Sequence, residues 1–260
     1  MIAITITKFE EGIINEDAAI ARNDVIAVSD GAGGGGVFAE KWSQYLVDNL
    51  PSKPIKTFKA FDKWIDGIWE PFYDECEENA KAIGGMFLNK FYDEGSFATL
   101  VAVWKGGQWI SYGDSVAFCY NRKTKELQHT FTRLADFNNP PYLINCNDPL
   151  DKKGFRCGKF KVDKDCIIFA ASDTLAHYIL MMYEADNREK YADELEEAIN
   201  AQTKNSNFIK TALAFDVIYF EKRVMLKIEN CTEEFLLKSH IKGLKKKGLI
   251  GHDDYSLVVM

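Results

Sequence analysis

Apolar and polar residues alternate over 1–7, Met-Ile-Ala-Ile-Thr-Ile-Thr, and predict an opening strand, the first of two strand candidates near the amino terminus. An apolar run then starts at Val25 and stops abruptly at Asp30, where Gly-Ala-Gly-Gly-Gly-Gly follows over 31–36. Helical periodicity takes over at about 37–49 and 57–83, the second stretch acidic from Asp74 to Glu78. The period returns to two over 95–104, 108–112 and 116–120, with turns at Gly106-Gly107 and Gly113-Asp114-Ser115, and predicts an antiparallel meander. Residues 123–160 carry Asn138-Asn-Pro-Pro141 and Asn147-Asp-Pro149 with few apolar runs, the pattern of a surface excursion or flap. A buried strand at 166–171 ends in Ser172-Asp173, helices follow to about 250, and 255–260 forms a last strand. No internal repeat or interdomain linker interrupts this order, so one domain over 1–260 is expected.

Composition narrows the possibilities. With 260 residues, 47% apolar and 13% aromatic, the chain can bury a large core. Its formal charge of -7 gives no electrostatic reason to expect nucleic acid or an anionic membrane as partner, and the basic run Lys242-Gly-Leu-Lys-Lys-Lys247 reads as a solvated helix face. The amino-terminal strand is too short for a signal peptide or membrane span, so a cytoplasmic location is the default. The six cysteines form no Cys-x-x-Cys pair and read as reduced thiols, and the four histidines lack metal-ligand spacing. A metal held by this chain would have oxygen ligands.

The strand-to-glycine turn at Asp30 has the anatomy of a binding site, a carboxylate beside bare backbone. Gly31, Gly33 and Gly36 satisfy the spacing of the dinucleotide fingerprint, but no second strand ending in an acid follows about 20 residues later. A P-loop is excluded because no Gly-Lys-Ser/Thr follows. The other aspartates give a better account. Asp17 follows an apolar pair, Asp30 and Asp173 end apolar strands, Asp114 sits in a turn between strands, and Asp253 and Asp254 precede the last strand. Each alone could be a turn residue or a helix cap. Gathered at one sheet edge, carboxylates repel and raise one another's pKa unless cations neutralise them, and all-oxygen clusters of this kind suit Mg²⁺ or Mn²⁺ and phosphate substrates.

In order and spacing, Asn15-Glu-Asp-Ala18, Val28-Ser-Asp-Gly-Ala-Gly-Gly34, Gly95-Ser-Phe-Ala-Thr99, Tyr112-Gly-Asp-Ser115, Ala171-Ser-Asp173 and Asp253-Asp-Tyr-Ser-Leu-Val-Val259 resemble the metal-dependent protein phosphatases of the 2C (PPM) type over nearly the whole chain. The resemblance implies an α+β fold, a four-layer α-β-β-α sandwich of two antiparallel sheets flanked by helices. It also implies a binuclear Mg²⁺ or Mn²⁺ centre, two ions per chain, at one end of the sandwich. By that likeness Asp30 is shared between the metals and the Gly31 carbonyl serves one of them. Asp173 and Asp253 complete one shell, Asp17 with Glu16 holds the other metal, and Asp114 can recruit a third, weaker ion. Asp30, Asp173 and Asp253 would then act catalytically through a metal-activated water on phosphoserine or phosphothreonine in phosphoprotein substrates, opposing a kinase.

The chain also departs from the pattern: Thr174 stands where Gly is usual, Val116 where Arg is common, Asp254 where Asn is common and Ala32 where some relatives carry His. No arginine stands just upstream of Asn15, and Arg22, the nearest, is the candidate for substrate phosphate. The alternative left open is a noncatalytic relative kept as a metal-bound or phosphoprotein-binding module.

Overall fold

The run Val25–Ser29, apolar at all but its last position, is buried along its whole length, as a strand covered on both faces must be. The computed structural model describes residues 1–34 and 36–260, so Gly35 of the glycine run lies outside the described residues. In chain order the elements are β1 (Ile2–Ile6), β2 (Ala18–Ala21), β3 (Val25–Ser29), α1 (Ala39–Asp48), α2 (Phe58–Asp66), α3 (Trp69–Ile83), α4 (Gly85–Glu94), β4 (Phe97–Ala98), β5 (Leu100–Trp104), β6 (Gln108–Tyr112) and β7 (Val116–Asn121). There follow β8 (Leu127–His129), β9 (Ile144–Asn145), β10 (Phe155–Lys159), β11 (Cys166–Ala171), α5 (Asp173–Asp186), α6 (Ala192–Asn200), α7 (Lys204–Leu213), α8 (Leu226–Asn230), α9 (Glu234–Lys246) and β12 (Tyr255–Val259).

Two five-stranded sheets result, ordered β1-β12-β11-β7-β8 and β10-β6-β5-β3-β2, and β4 pairs separately with β9. Every paired strand is antiparallel to its neighbour. Ile26, Val28, Val101 and Val103 of one sheet meet Ala117, Cys119, Ile168, Ala170 and Val258 of the other in a common core. Alternate positions point outward, as the two-residue period requires. Ala27, Ala102 and Ile110 pack on Trp42, Leu46, Phe61, Phe72 and Phe91 from α1 to α4. Phe118, Phe169 and Leu257 pack on Tyr178, Ile179 and Ile241 from the later helices. The layers are therefore α-β-β-α, and each fully buried large apolar side chain contributes roughly 1.5–3 kcal/mol. Among the described residues no helix is long and apolar enough to cross a membrane.

Four expectations change. The helical stretch 57–83 is two helices, because α2 ends at Gly67 and α3 starts afresh at Trp69. The strand stretch 95–104 is broken at Thr99 into β4 and β5. The meander does not continue past β6: β5 and β6 pair, but β7 belongs to the other sheet. Gly113 takes φ +95° at this crossover, and a Cβ there would come within 2.7 Å of Thr99 Cγ2, so the turn that resembles a hairpin in sequence carries the chain from sheet to sheet. Finally, 123–160 is only partly an excursion, since β8 and β10 form edges of the two sheets.

The registers align the relevant ends. Ala18 faces Ser29, Leu100 faces Tyr112, and Ala171 faces both Val116 and Leu257. The residues just beyond these pairs, Asp17, Asp30, Asp114, Asp173 and Asp253, thus emerge at one end of the sandwich.

Candidate metal centre

Asp30 is fixed by Thr99, at the break between β4 and β5, rather than by its own loop. The Asp30 amide donates to Thr99 Oγ1 at 3.2 Å, the Thr99 amide donates to the Asp30 carbonyl at 2.8 Å, and Ser29 Oγ donates to the Thr99 carbonyl at 2.6 Å. Thr99 Oγ1 also lies 2.7 Å from Ser115 Oγ, which ties the end of β3 to the crossover bearing Asp114. The glycines then let the backbone pass where side chains could not. A Cβ on Gly31 would lie 2.5 Å from the Glu16 carbonyl, one on Gly33 would collide with Glu16 Oε1, and one on Gly36 would lie 2.6 Å from the Gly95 carbonyl. Ser96 Oγ donates to the Val37 carbonyl at 2.6 Å and closes the far side of this loop.

On the other sheet, the Ser256 amide donates to Ser172 Oγ at 2.9 Å and the Ser172 amide to the Ser256 carbonyl at 3.2 Å, setting Asp173 beside the start of β12. Asp173 is the first residue of α5, with Ser172 at the cap position, and its Oδ1 accepts from the Thr174 amide. A carboxylate is favoured there by the positive end of the helix. Asp254 plays a structural part instead, since its two oxygens accept from the backbone amides of Lys8 at 2.7 Å and Glu16 at 2.9 Å. It clamps the loop that delivers Glu16 and Asp17. No sequence signal marks this contact, because the donors are backbone groups far away in the chain.

Glu16, Asp30, Gly31, Asp114, Asp173 and Asp253 line one cavity of about 270 Å³. Asp17 is not in its lining. It is buried beside Ser256 and Ser172 and close enough to Asp30 to raise the latter's pKa. Burial is the main cause of every shift. It takes Asp17 to about 7, Asp114 to about 6 and Asp173 to about 8, and it raises Asp253 and Glu16. Asp30 lies well above the carboxylate range through burial, followed by the charges of Asp17, Asp173, Asp114 and Asp253.

Arg22 is not brought to this cavity. It lies at the other end of β2, about 13 Å of strand away, where its Nη2 donates to the Leu50 carbonyl at 2.7 Å and its Nε lies 3.7 Å from Asp24. The guanidinium that does approach the acids is Arg156 of β10, whose charge lowers the Asp114 pKa. Its Nη2 donates to the Gly113 carbonyl at 2.6 Å and its Nη1 to Thr132 Oγ1 at 3.0 Å. Together with Asp114 it lines an adjoining cavity of about 220 Å³. Its place in a segment expected to be surface flap concealed it.

The donor set fits a hard divalent cation. All candidate ligands are oxygens, and buried Asp17 Oδ2 has no hydrogen-bond partner among the described residues. Among the described residues no group of three or more His, Cys, Asp or Glu side chains is arranged closely enough to hold a metal ion by itself.

The chain has the fold of the PPM-type serine/threonine phosphatases. The Mycobacterium tuberculosis serine/threonine phosphatase PstP/Ppp matches it with a TM-score of 0.53 and 15% identity over 99% of this chain and 95% of that one. Two further structures fall at a TM-score of 0.49: Staphylococcus aureus serine/threonine phosphatase Stp1, with 12% identity over 99% of this chain and 93% of that one, and the catalytic domain of PstP in complex with two manganese ions, with 14% identity over 99% and 95%. No protein-family profile and no curated protein matches the chain in sequence.

Proposed function

We propose that this protein is a divalent-metal-dependent phosphatase acting on phosphoserine and phosphothreonine in cytosolic phosphoproteins, and that it opposes a kinase. The observation that carries the reading is the set of acids from separate strand ends around one cavity, at the end of a PPM-type fold. Asp30, the Gly31 carbonyl, Asp173 and Asp253 are the residues we assign to the metals, with Asp17 and Glu16 on the amino-terminal side and Asp114 at a weaker third position. Divalent cations held there would supply positive charge to the phosphoryl oxygens and an acidified water as nucleophile.

The chain's own contribution is placement. Thr99 and Ser115 hold Asp30 relative to Asp114, Ser172 and Ser256 hold Asp173 beside β12, and Asp254 holds the Glu16 loop. Arg156 offsets part of the negative charge at Asp114. With Ala32 in the glycine loop, no imidazole there can protonate a leaving group, and that proton comes from solvent.

A noncatalytic, metal-bound or phosphoprotein-binding role is the second reading. It is favoured by the position of Arg22, which leaves no upstream guanidinium at the cavity. Turnover of p-nitrophenyl phosphate and of a phosphothreonine peptide, with Mn²⁺, Mg²⁺ or EDTA, separates the two. The proposal expects metal-dependent turnover that falls at least about a thousandfold in Asp30→Asn. Absence of turnover on both substrates in wild type would favour the noncatalytic role.

A further inference from the structure

A third cavity, of about 420 Å³, opens on the helical layer behind the β1-β12-β11-β7-β8 sheet, away from the acidic end. Its walls come from α5, α8, α9 and the π-helical turn Glu221–Met225, a rare local geometry that tends to accompany functional positions. Lys222, Arg223, Lys227 and Lys247 line it, and no carboxylate does. The nearby acids are engaged elsewhere: Glu221 pairs with Lys125 at 2.6 Å and Glu229 with Arg122 at 2.7 Å. Lys222 and Arg223 rest on the rings of Tyr219 and Phe215, at 5.2 and 4.5 Å from the centroids, which holds cations in place without neutralising them.

The remaining lining is mixed: Met182, Leu244 and Leu249 stand beside Tyr178 and His240, with Asn230 and Ser239 as its uncharged polar side chains. Tyr178 is only 2% exposed. His240 stands edge-on to Tyr178 at 6.2 Å and, its pKa brought to about 4 by burial, is neutral at physiological pH. Gly243 sits inside α9, where glycine weakens a helix, and a Cβ there would meet nothing within 4 Å. The basic run expected to be a solvated helix face therefore contributes Gly243 and Lys247 to a concave site.

We propose that this cavity binds a nucleoside polyphosphate, with its phosphates among Lys222, Arg223, Lys227 and Lys247 and its base against Tyr178, Met182 and Leu244. The volume suits a ligand of that size, and the cations match the two to four negative charges of such a molecule. An acidic peptide or an anionic membrane would use the same charges but not the recessed apolar side chains.

The test is calorimetric titration of the intact protein with ADP in EDTA, so that no divalent ion can recruit phosphate to the acidic end. One site with a Kd of about 10–100 µM is expected. Lys227→Glu/Lys247→Glu, at two exposed positions, should weaken it at least about tenfold, and Gly243→Phe, which fills the cavity, should do the same. Asp30→Asn should bind as wild type does. Pyrophosphate and adenosine, each lacking one half of the ligand, should each bind at least about tenfold more weakly than ADP. The absence of saturable ADP binding, an unchanged Kd in Lys227→Glu/Lys247→Glu, loss of binding in Asp30→Asn, or pyrophosphate binding as tightly as ADP would each overturn the assignment.

Discussion

One helix, α5, borders two regions of opposite character. At its first turn Asp173 joins Asp30, Asp114 and Asp253 around a cavity where burial, and after it like charge, raises the carboxyl pKa values. Further along it Tyr178 and Met182 line a cavity ringed by lysines and an arginine. Between and beyond these lie ionisable groups that burial keeps neutral: His177, its pKa brought to about 4, and Glu184, pushed up to about 8. Charge of one sign can thus accumulate in a fold whose stability comes from apolar layers, and such accumulation marks where an ion or ligand of the other sign belongs.

The acidic region is held by a structural carboxylate distinct from those facing the cavity, and removing it should have the largest effect on stability. Asp254→Ala removes the acceptors of two backbone amides, at Lys8 and Glu16, and should cost roughly 3 kcal/mol in urea unfolding. Asp254→Asn retains one acceptor oxygen and should cost about half as much. Equal stability of all three proteins would show that the loop is held by other contacts.

Glu184 probes the neutral stretch of α5. Its folded pKa, about 8, lies above the ordinary 4.5, so the folded state binds the extra proton between those values and stability falls as pH rises through that window. Glu184→Gln should therefore gain roughly 2 kcal/mol at pH 8 and little at pH 4.5. A gain independent of pH would contradict the linkage.

The same sign governs the acidic end. Asp114, Asp17 and Asp173, at about 6, 7 and 8 in place of 3.8, make the metal-free protein less stable as pH rises through that range. Mn²⁺ should relieve this cost, so the rise in Tm on adding Mn²⁺ should be several degrees larger at pH 8 than at pH 5.5. Equal shifts at both values would place the ion elsewhere. Arg22→Ala should give the smallest effect: about 1 kcal/mol from the lost bonds to the Leu50 and Asp48 carbonyls, with turnover within about twofold of wild type. A large loss of turnover would return Arg22 to the substrate side.

Much of this was legible in the chain. An apolar run ending at an aspartate identifies a strand buried on both faces, and of the five strand ends that carry aspartate, four supply acids that line the cavity with Gly31, namely Asp30, Asp114, Asp173 and Asp253, while Asp17 does not. What escaped the sequence has a common physical cause. The β6 to β7 crossover resembles the β5 to β6 hairpin because each turn carries a left-handed glycine, Gly113 in the one and Gly107 in the other, and only the pairing partners differ. Asp254 acts on backbone amides that no side-chain pattern reveals, and Arg156 approaches Asp114 from an edge strand hidden in a loop-like segment. Lys247 is exposed, as the basic run predicts, but its place with Gly243 at a cavity could not be read because the other walls, α5 and α8, are remote in sequence.

The most direct test of the metal-centre account is calorimetric titration of Mn²⁺ into wild type and Asp30→Asn at pH 7.5. The account predicts two binding events in wild type and loss of at least one in Asp30→Asn with the fold intact. Saturable Mn²⁺ binding that is the same in both proteins, or no binding in wild type, would contradict it.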